Sequence, residues 1–368
     1  LGDVYKRQVS KEGTMNKQEM WGCIATAPKM YFTKIQKIMK NLKDVQEIFN
    51  GTQKKLVEAG GLKSEEAAEL LRHIERFNPK EYFEKLEKNN IKFVSVDDEN
   101  YPEKLIPFDH KPYFLFYKGK LPDENATAVA MVGARACSNY GRNMAKKIGK
   151  ELSERGVQVI SGMARGVDTY SQLGAIEGGM STYAVLGSGV DICYPVENIE
   201  LYGDIINNGG IISEYPPGSS PEGWHFPQRN RIISGLADKI VVVEARENSG
   251  SLITVEWALE QGGDVMAVPG RVDDKLSQGC NRLIKSGAGI VTNVDDILSD
   301  LGYNAYYEQK KEKAKEKILE KELSNAYKIE LEYLTPFWCS TPWTRALEGK
   351  KVLVVHPLSL IHISEPTR

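Results

Sequence analysis

The sequence has five cysteines in 368 residues, at 23, 137, 193, 280 and 339, and no two stand in a CxxC pair. A structural zinc site and a disulfide framework are therefore not expected. Scattered thiols fit a reducing compartment, and a cytoplasmic location is the expectation. No apolar run approaches the length that crosses a bilayer, and no signal peptide is visible, so no membrane partner is expected. There is also little net charge, −2 overall. If such a chain binds nucleic acid, a local patch must do it. What the sequence does have, 41% hydrophobic and 27% charged residues, belongs to a globular protein with more than one domain.

Two nucleotide motifs are missing as well. Gly187-x-Gly189 lacks the third glycine of the dinucleotide fingerprint, because Ile192 stands there, and Gly133 has no partner at the required spacing. A GxxxxGK[ST] loop is absent, which argues against ATP hydrolysis.

The chain divides into six stretches. Residues 1–14 read as an artefactual leader ahead of Met15, and 332–368 as a truncated or chimeric tail with an adapter-like end (SLIHISEPTR). Residues 15–80 read as short helices, with Ile35, Ile38, Met39 and Leu42 at helical spacing. Within them 56–68 reads helix, Gly60-Gly61 turn, helix, with Ser64 as the cap. This is the pattern of a helix-hairpin-helix, or SAM-like, unit. A plain helical turn is the alternative, and Glu58, Glu65, Glu66 and Glu69 favour it because they would repel phosphate. Residues 81–125 form a connecting module with strands at 91–95 and 113–117. Residues 302–331, rich in Lys and Glu, form a charged helical linker.

Residues 126–301 alternate strand and helix. Strands are predicted at 128–132, 157–161, 182–186, 210–213, 240–244, 264–268 and 290–292, with helices such as 141–155 and 252–261 between them. This predicts an α/β fold: a Rossmann-like, mostly parallel sheet with helices on both faces.

The early strands empty into glycine-containing turns: Gly133-Ala134-Arg135, Ser161-Gly162 with Arg165-Gly166, and Gly187-Ser188-Gly189. Backbone amides at such turns favour anions. A fourth turn, Ser249-Gly250-Ser251, can cap the next helix or donate to phosphate. Between two strands lies Phe226-Pro227-Gln228-Arg229-Asn230-Arg231, read as a loop whose paired guanidiniums suit phosphate; a helix start with solvated arginines is the alternative. Arg135, Arg165, Arg229 and Arg231 are expected to converge at one sheet edge, with Asn230 beside them and Arg246 and Lys285 away from it. No catalytic or metal-binding constellation stands out. Cys280 and His225 read as packing residues.

These turns, in this order, resemble the DprA/Smf family of DNA-processing proteins. The match runs through VGAR (132–135), SGMARGVD (161–168), AVLGSGVDICYP (184–195), SEYPPG (213–218), FPQRNRIISGL (226–236), VVEARENSGSLIT (242–254), AVPG (267–270) and GCNRLIKSGA (279–288). Cys137 and Tyr170-Ser171-Gln172 depart from the family pattern, and a C-terminal winged helix is not recognisable. The resemblance implies single-stranded DNA binding, homodimerisation near 283–290, loading of the recombinase RecA in natural transformation, and no cofactor. A second reading comes from the related Rossmann-like phosphoribohydrolases with their PGGxGTxxE turn. Here 248–256 keeps the acid as Glu256 but has Leu252 and Ile253 in place of the second glycine and the threonine.

Overall fold

The computed structural model describes residues 15–299. The leader, the charged linker and the tail expected from the sequence lie outside the described residues.

The described residues open with six short helices: α1 (Lys17–Thr26), α2 (Phe32–Leu42), α3 (Val45–Phe49), α4 (Gln53–Glu58), α5 (Ser64–Arg76) and α6 (Pro79–Lys88). Asn16 opens α1 through a reciprocal cap: its side chain accepts from the Glu19 amide at 2.9 Å, and the Glu19 carboxylate takes the Asn16 amide at 2.8 Å. On α2 the predicted apolar set Ile35, Ile38, Met39 and Leu42 is buried, as its spacing requires. Ser64 does not cap α5. It is the first helical residue, and its hydroxyl accepts from Gln53 at 2.9 Å, while Glu66 reaches back to the Lys63 amide at 3.0 Å. In the glycine turn before α5 the Gly61 amide is spent on the Val57 carbonyl and the Leu62 amide on that of Leu56. This is the plain-turn alternative, because neither amide is left for a phosphate.

Next come β1 (Lys92–Ser95), β2 (Phe114–Gly119), β3 (Ala128–Val132), α7 (Asn139–Glu154), β4 (Gln158–Ser161), α8 (Val167–Gly178), β5 (Thr182–Val185), α9 (Ile199–Asn208), β6 (Gly210–Ser213), α10 (His225–Gly235), β7 (Lys239–Val242), α11 (Leu252–Glu260), β8 (Asp264–Ala267), α12 (Gln278–Lys285), β9 (Gly289–Ile290) and α13 (Val294–Leu298). Every predicted strand is present within about two residues. The sheet order is β1-β2-β6-β5-β4-β3-β7-β8-β9, parallel from β6 to β9. This is the Rossmann-like α/β architecture expected from the alternation.

The segment 81–125 does not stand apart. β1 and β2 add an antiparallel edge to the same sheet, with Phe116 opposite Ser213 and Lys118 opposite Ile211. Their aromatic side chains explain why: Phe93, Phe114 and Phe116 are buried in one cluster with Trp21, Ile24 and Ile38 of the helices and with Ala184 and Ile211 of the parallel sheet. A second core lies under α10, α11 and α12, and a third under α7, α8 and α13.

The order of the strands sets the site. From β3 the chain runs outward through β4, β5 and β6, then returns to β7 on the other side of β3. Strand order therefore reverses at β3, and the crevice beyond the carboxyl ends of β3 and β7 is where such a sheet takes ligands.

Candidate nucleic-acid interface

A cavity of about 750 Å³ opens at that reversal. Its walls are the turn after β3 (Gly133, Arg135), the start of α10 (Phe226, Arg229, Asn230) and the turn after β7 (Arg246, Asn248, Ser249, Gly250, Ser251). Asp168 and Tyr194 also line it.

Two glycines let the turns come this close. A Cβ on Gly133 would stand 2.6 Å from the Val167 side chain and 2.9 Å from the Glu244 carbonyl. Gly166 has φ +77°, and a Cβ there would meet the Ala134 carbonyl at 2.2 Å. Gly166 thus shapes the turn after β3 without lining the cavity itself.

The stretch 225–235 is a helix, not a loop. Pro227 sits in its first turn, where the missing amide costs nothing. Arg229 is buried, 4% exposed, and donates to the carbonyls of Gly162, at 3.0 Å, and Val185. Asp168 is buried beside it and accepts from the Gly162 amide at 3.1 Å. Burial raises the Asp168 carboxyl, and the Arg229 charge pulls it back. Burial likewise pushes Arg229 down to about 10, which leaves it a cation at neutral pH. The Arg229 cation and the Asp168 carboxyl are therefore held together at the cavity wall.

Arg135 is the more available cation. Its guanidinium lies over the Phe226 ring, 5.2 Å from the centroid, and Phe226 in turn lies 5.6 Å from the Tyr194 ring. Ser249 and Ser251 bond each other at 2.8 Å instead of capping α11, so the fourth turn presents hydroxyls to the cavity.

Of the residues singled out in the sequence, Gly133, Arg135, Arg229, Asn230, Ser249, Gly250 and Ser251 meet in the cavity. The others do not line it. Arg231 points away: it pairs with buried Glu214 and stacks over Phe32 at 3.7 Å, both on the side of the N-terminal helices. Arg165 is exposed and bonded to Glu197 at 2.5 Å. The four arginines therefore do not converge. Ser161 is fully buried and donates to the Met131 carbonyl at 2.6 Å. The Gly162 amide is taken by Asp168, so it faces no ligand. The Gly187-Ser188-Gly189 turn is closed off: a Cβ on Gly187 would press on Phe226 at 3.0 Å, Ser188 bonds the Ile192 carbonyl, and the Gly189 amide bonds Ser219.

Arg246, expected to lie elsewhere, lines the cavity. Asp168, Tyr194 and Phe226 were not anticipated. The aromatic that opens the Phe226–Arg231 stretch was the available signal for one of them. Glu256 is exposed on α11 and does not line the cavity. His225 and Cys280 pack as expected. His225 is buried 2.8 Å from the Gly187 carbonyl and stacked on Tyr215. Burial pushes the Cys280 thiol up to about 12.

Residues 92–302 match the family model described as DNA recombination-mediator protein A. The chain is 44% identical over 209 residues to the DNA processing protein DprA of Streptococcus pneumoniae, across 57% of this chain and 74% of that protein. It is 36% identical over 229 residues to Protein Smf of a Synechocystis species, across 61% of this chain and 58% of that protein. Its fold is similar to the X-ray structure of the pneumococcal DprA, with a TM-score of 0.67 and 33% identity over 78% of this chain and 99% of that one. It is also similar to DNA processing protein A of Helicobacter pylori, a protein with a described single-stranded DNA binding mode, at a TM-score of 0.51 and 26% identity over 57% of this chain and 95% of that one.

Proposed function

The chain belongs to the DNA recombination-mediator protein A family, and on that premise we propose that it binds single-stranded DNA and acts as a recombination mediator. The observation that carries this reading is the Arg135–Phe226 pair in the cavity at the strand-order reversal. A cation for the backbone and an aromatic face for a base, side by side, are the two parts of a single-strand site. Phe226 is half-buried among Arg135, Arg229 and Tyr194, so its ring is already ordered at the cavity wall, and a base would stack there by displacing the Arg135 guanidinium toward a phosphate. The Ser249 and Ser251 hydroxyls, with Asn230, add hydrogen bonds that need no particular sequence. A duplex keeps its bases stacked inward and can give such a cavity only phosphates, so single strands are preferred.

Family membership supports the finer parts of the proposal. The protein protects incoming strands during DNA uptake, loads RecA onto them, works as a homodimer and acts in the cytoplasm. Self-association through the region 283–290 is consistent with Ile290, half exposed on the short edge strand β9. Light scattering at micromolar concentration tests it, and a persistent monomer would contradict it. No catalytic step is assigned: the acid of the phosphoribohydrolase reading, Glu256, is exposed outside the cavity lining.

The deciding experiment is an anisotropy titration with single- and double-stranded oligonucleotides at several salt concentrations. Arg135→Ala should weaken single-strand binding and reduce the salt slope by about 0.7, the share of one phosphate contact. Phe226→Ala should cost about 1–3 kcal/mol with the slope intact, as the loss of one stacking face does. Equal affinity for both DNA forms, or wild-type behaviour of both variants, would overturn the assignment.

A further inference from the structure

α7 carries four cations: Arg142, Lys146, Lys147 and Lys150. Three of them face carboxylates, Lys146 with Glu177 at 2.5 Å, Lys147 with Glu151 at 3.9 Å and Lys150 with Glu154 at 3.8 Å. Arg142 differs. Among the described residues its guanidinium has no ion pair and no hydrogen bond, and it lies over the Tyr170 ring at 4.8 Å from the centroid. Tyr170 belongs to the first turn of α8 and packs its inner side on the core beneath α7 and α8. Arg142 is in the opening turns of α7, four residues past the cap Ser138.

Both helices start beyond the carboxyl ends of β3 and β4, at the sheet edge that carries the cavity, and Asp168, two residues before Tyr170, lines it. Glu244, the nearby carboxylate, is 1% exposed and is met by the Ser138 amide at 2.8 Å and by its hydroxyl. Its charge is turned into the helix cap.

We propose that Arg142 and Tyr170 form a second contact for single-stranded DNA, taking a backbone phosphate just outside the cavity. This rests on the single-strand reading above. A guanidinium held over a ring without an ion pair keeps its donors free and already ordered, so it loses little on taking a phosphate. An ion-paired lysine would first have to give up its carboxylate.

The test uses the full chain and oligothymidylates of two lengths, about four and about twelve nucleotides, one at the lower end of ordinary single-strand site sizes and one well inside their range. Arg142→Ala should leave the short probe unaffected, weaken the long one about tenfold and lower its salt slope by about 0.7. Tyr170→Ala should weaken the long probe about threefold with the slope retained, and Tyr170→Phe should bind as wild type. Wild-type affinity and slope for Arg142→Ala on the long probe would overturn the proposal, as would equal weakening on both probes. Arg135→Ala is the companion variant. If it loses the short probe while Arg142→Ala is silent, only the second contact fails. If the unsubstituted chain binds neither probe, both readings fail.

Discussion

Two positions apart on one helix, the side chains of Arg229 and Arg231 leave α10 about 200° from each other. Arg229 reaches the cavity wall and Asp168, while Arg231 reaches Glu214 and Phe32. The two arginines should therefore fail differently. Arg231→Ala leaves Glu214 buried without its counter-charge and should cost about 3–5 kcal/mol in urea unfolding. The variant that remains folded should keep the wild-type salt slope for single strands. Arg135→Ala should do the reverse, weakening binding with the urea midpoint unchanged. His225 supplies a pH dependence. Burial lowers its imidazole below the ordinary value against the pull of the Gly187 carbonyl. The folded chain holds the ring neutral, whereas the unfolded chain protonates it near pH 6.5. The stability it contributes is complete above about pH 6.5 and is lost as the pH falls toward the lowered folded value. Urea midpoints at pH 7.5, 6.5 and 5.5 should show a smaller acid loss in His225→Gln than in wild type. The difference between the two proteins isolates this ring from Asp168, whose raised carboxyl acts in the opposite sense.

At the level of elements, the close pair is α7 and α8. A Cβ on Gly149 would stand 2.2 Å from the Ser171 carbonyl, and one on Gly174 would stand 2.1 Å from the Lys146 carbonyl. The backbones touch where a glycine of one helix meets a carbonyl of the other, which draws the first turns of both helices together and places Arg142 over Tyr170. Gly174→Ala should force the helices apart and cost about 1–3 kcal/mol, as other overpacking does. A thermal melt reads the loss. Long-probe binding should fall more than short-probe binding, since the cavity is built from other elements. A variant as stable as wild type would show that the crossing can relax.

At the largest scale, the described residues form one continuous sheet with the N-terminal helices packed on one end of it. Phe93, Phe114 and Phe116 of β1 and β2 share a core with Trp21, Ile24 and Ile38. A chain that begins at residue 81 should expose this aromatic cluster, bind a hydrophobic dye and unfold less cooperatively. Unchanged cooperativity would mean the helices are an independent unit. The cavity draws only on residues 132–276. A chain ended at residue 301 should therefore bind single strands as the full chain does, and a loss of binding in a folded truncation would place a further contact in the later residues.

Runs of Val, Ile and Ala bounded by glycine were enough, by themselves, to locate the parallel strands, because strands buried on both faces read as apolar runs. The glycine turns after them were equally legible, and with the motif order they marked the family. The side chains that meet at the cavity were not. The helix 225–235 read as a loop because it is buried on opposite sides and Arg229, Asn230 and Arg231 are among the buried residues, so no apolar period announces it. Once helical, its rotation per residue sent one arginine to the cavity and the other to the opposite side. The Asp168–Arg229 pairing likewise depends on α8 and α10 being brought together from about 60 residues apart in the chain. So does the addition of β2 to β6, whose partners are about a hundred residues apart. Local patterns report which segments are strands and turns. Which polar groups are sealed by partners and which are left for a ligand is decided only when distant segments exclude water from some of them and not from others.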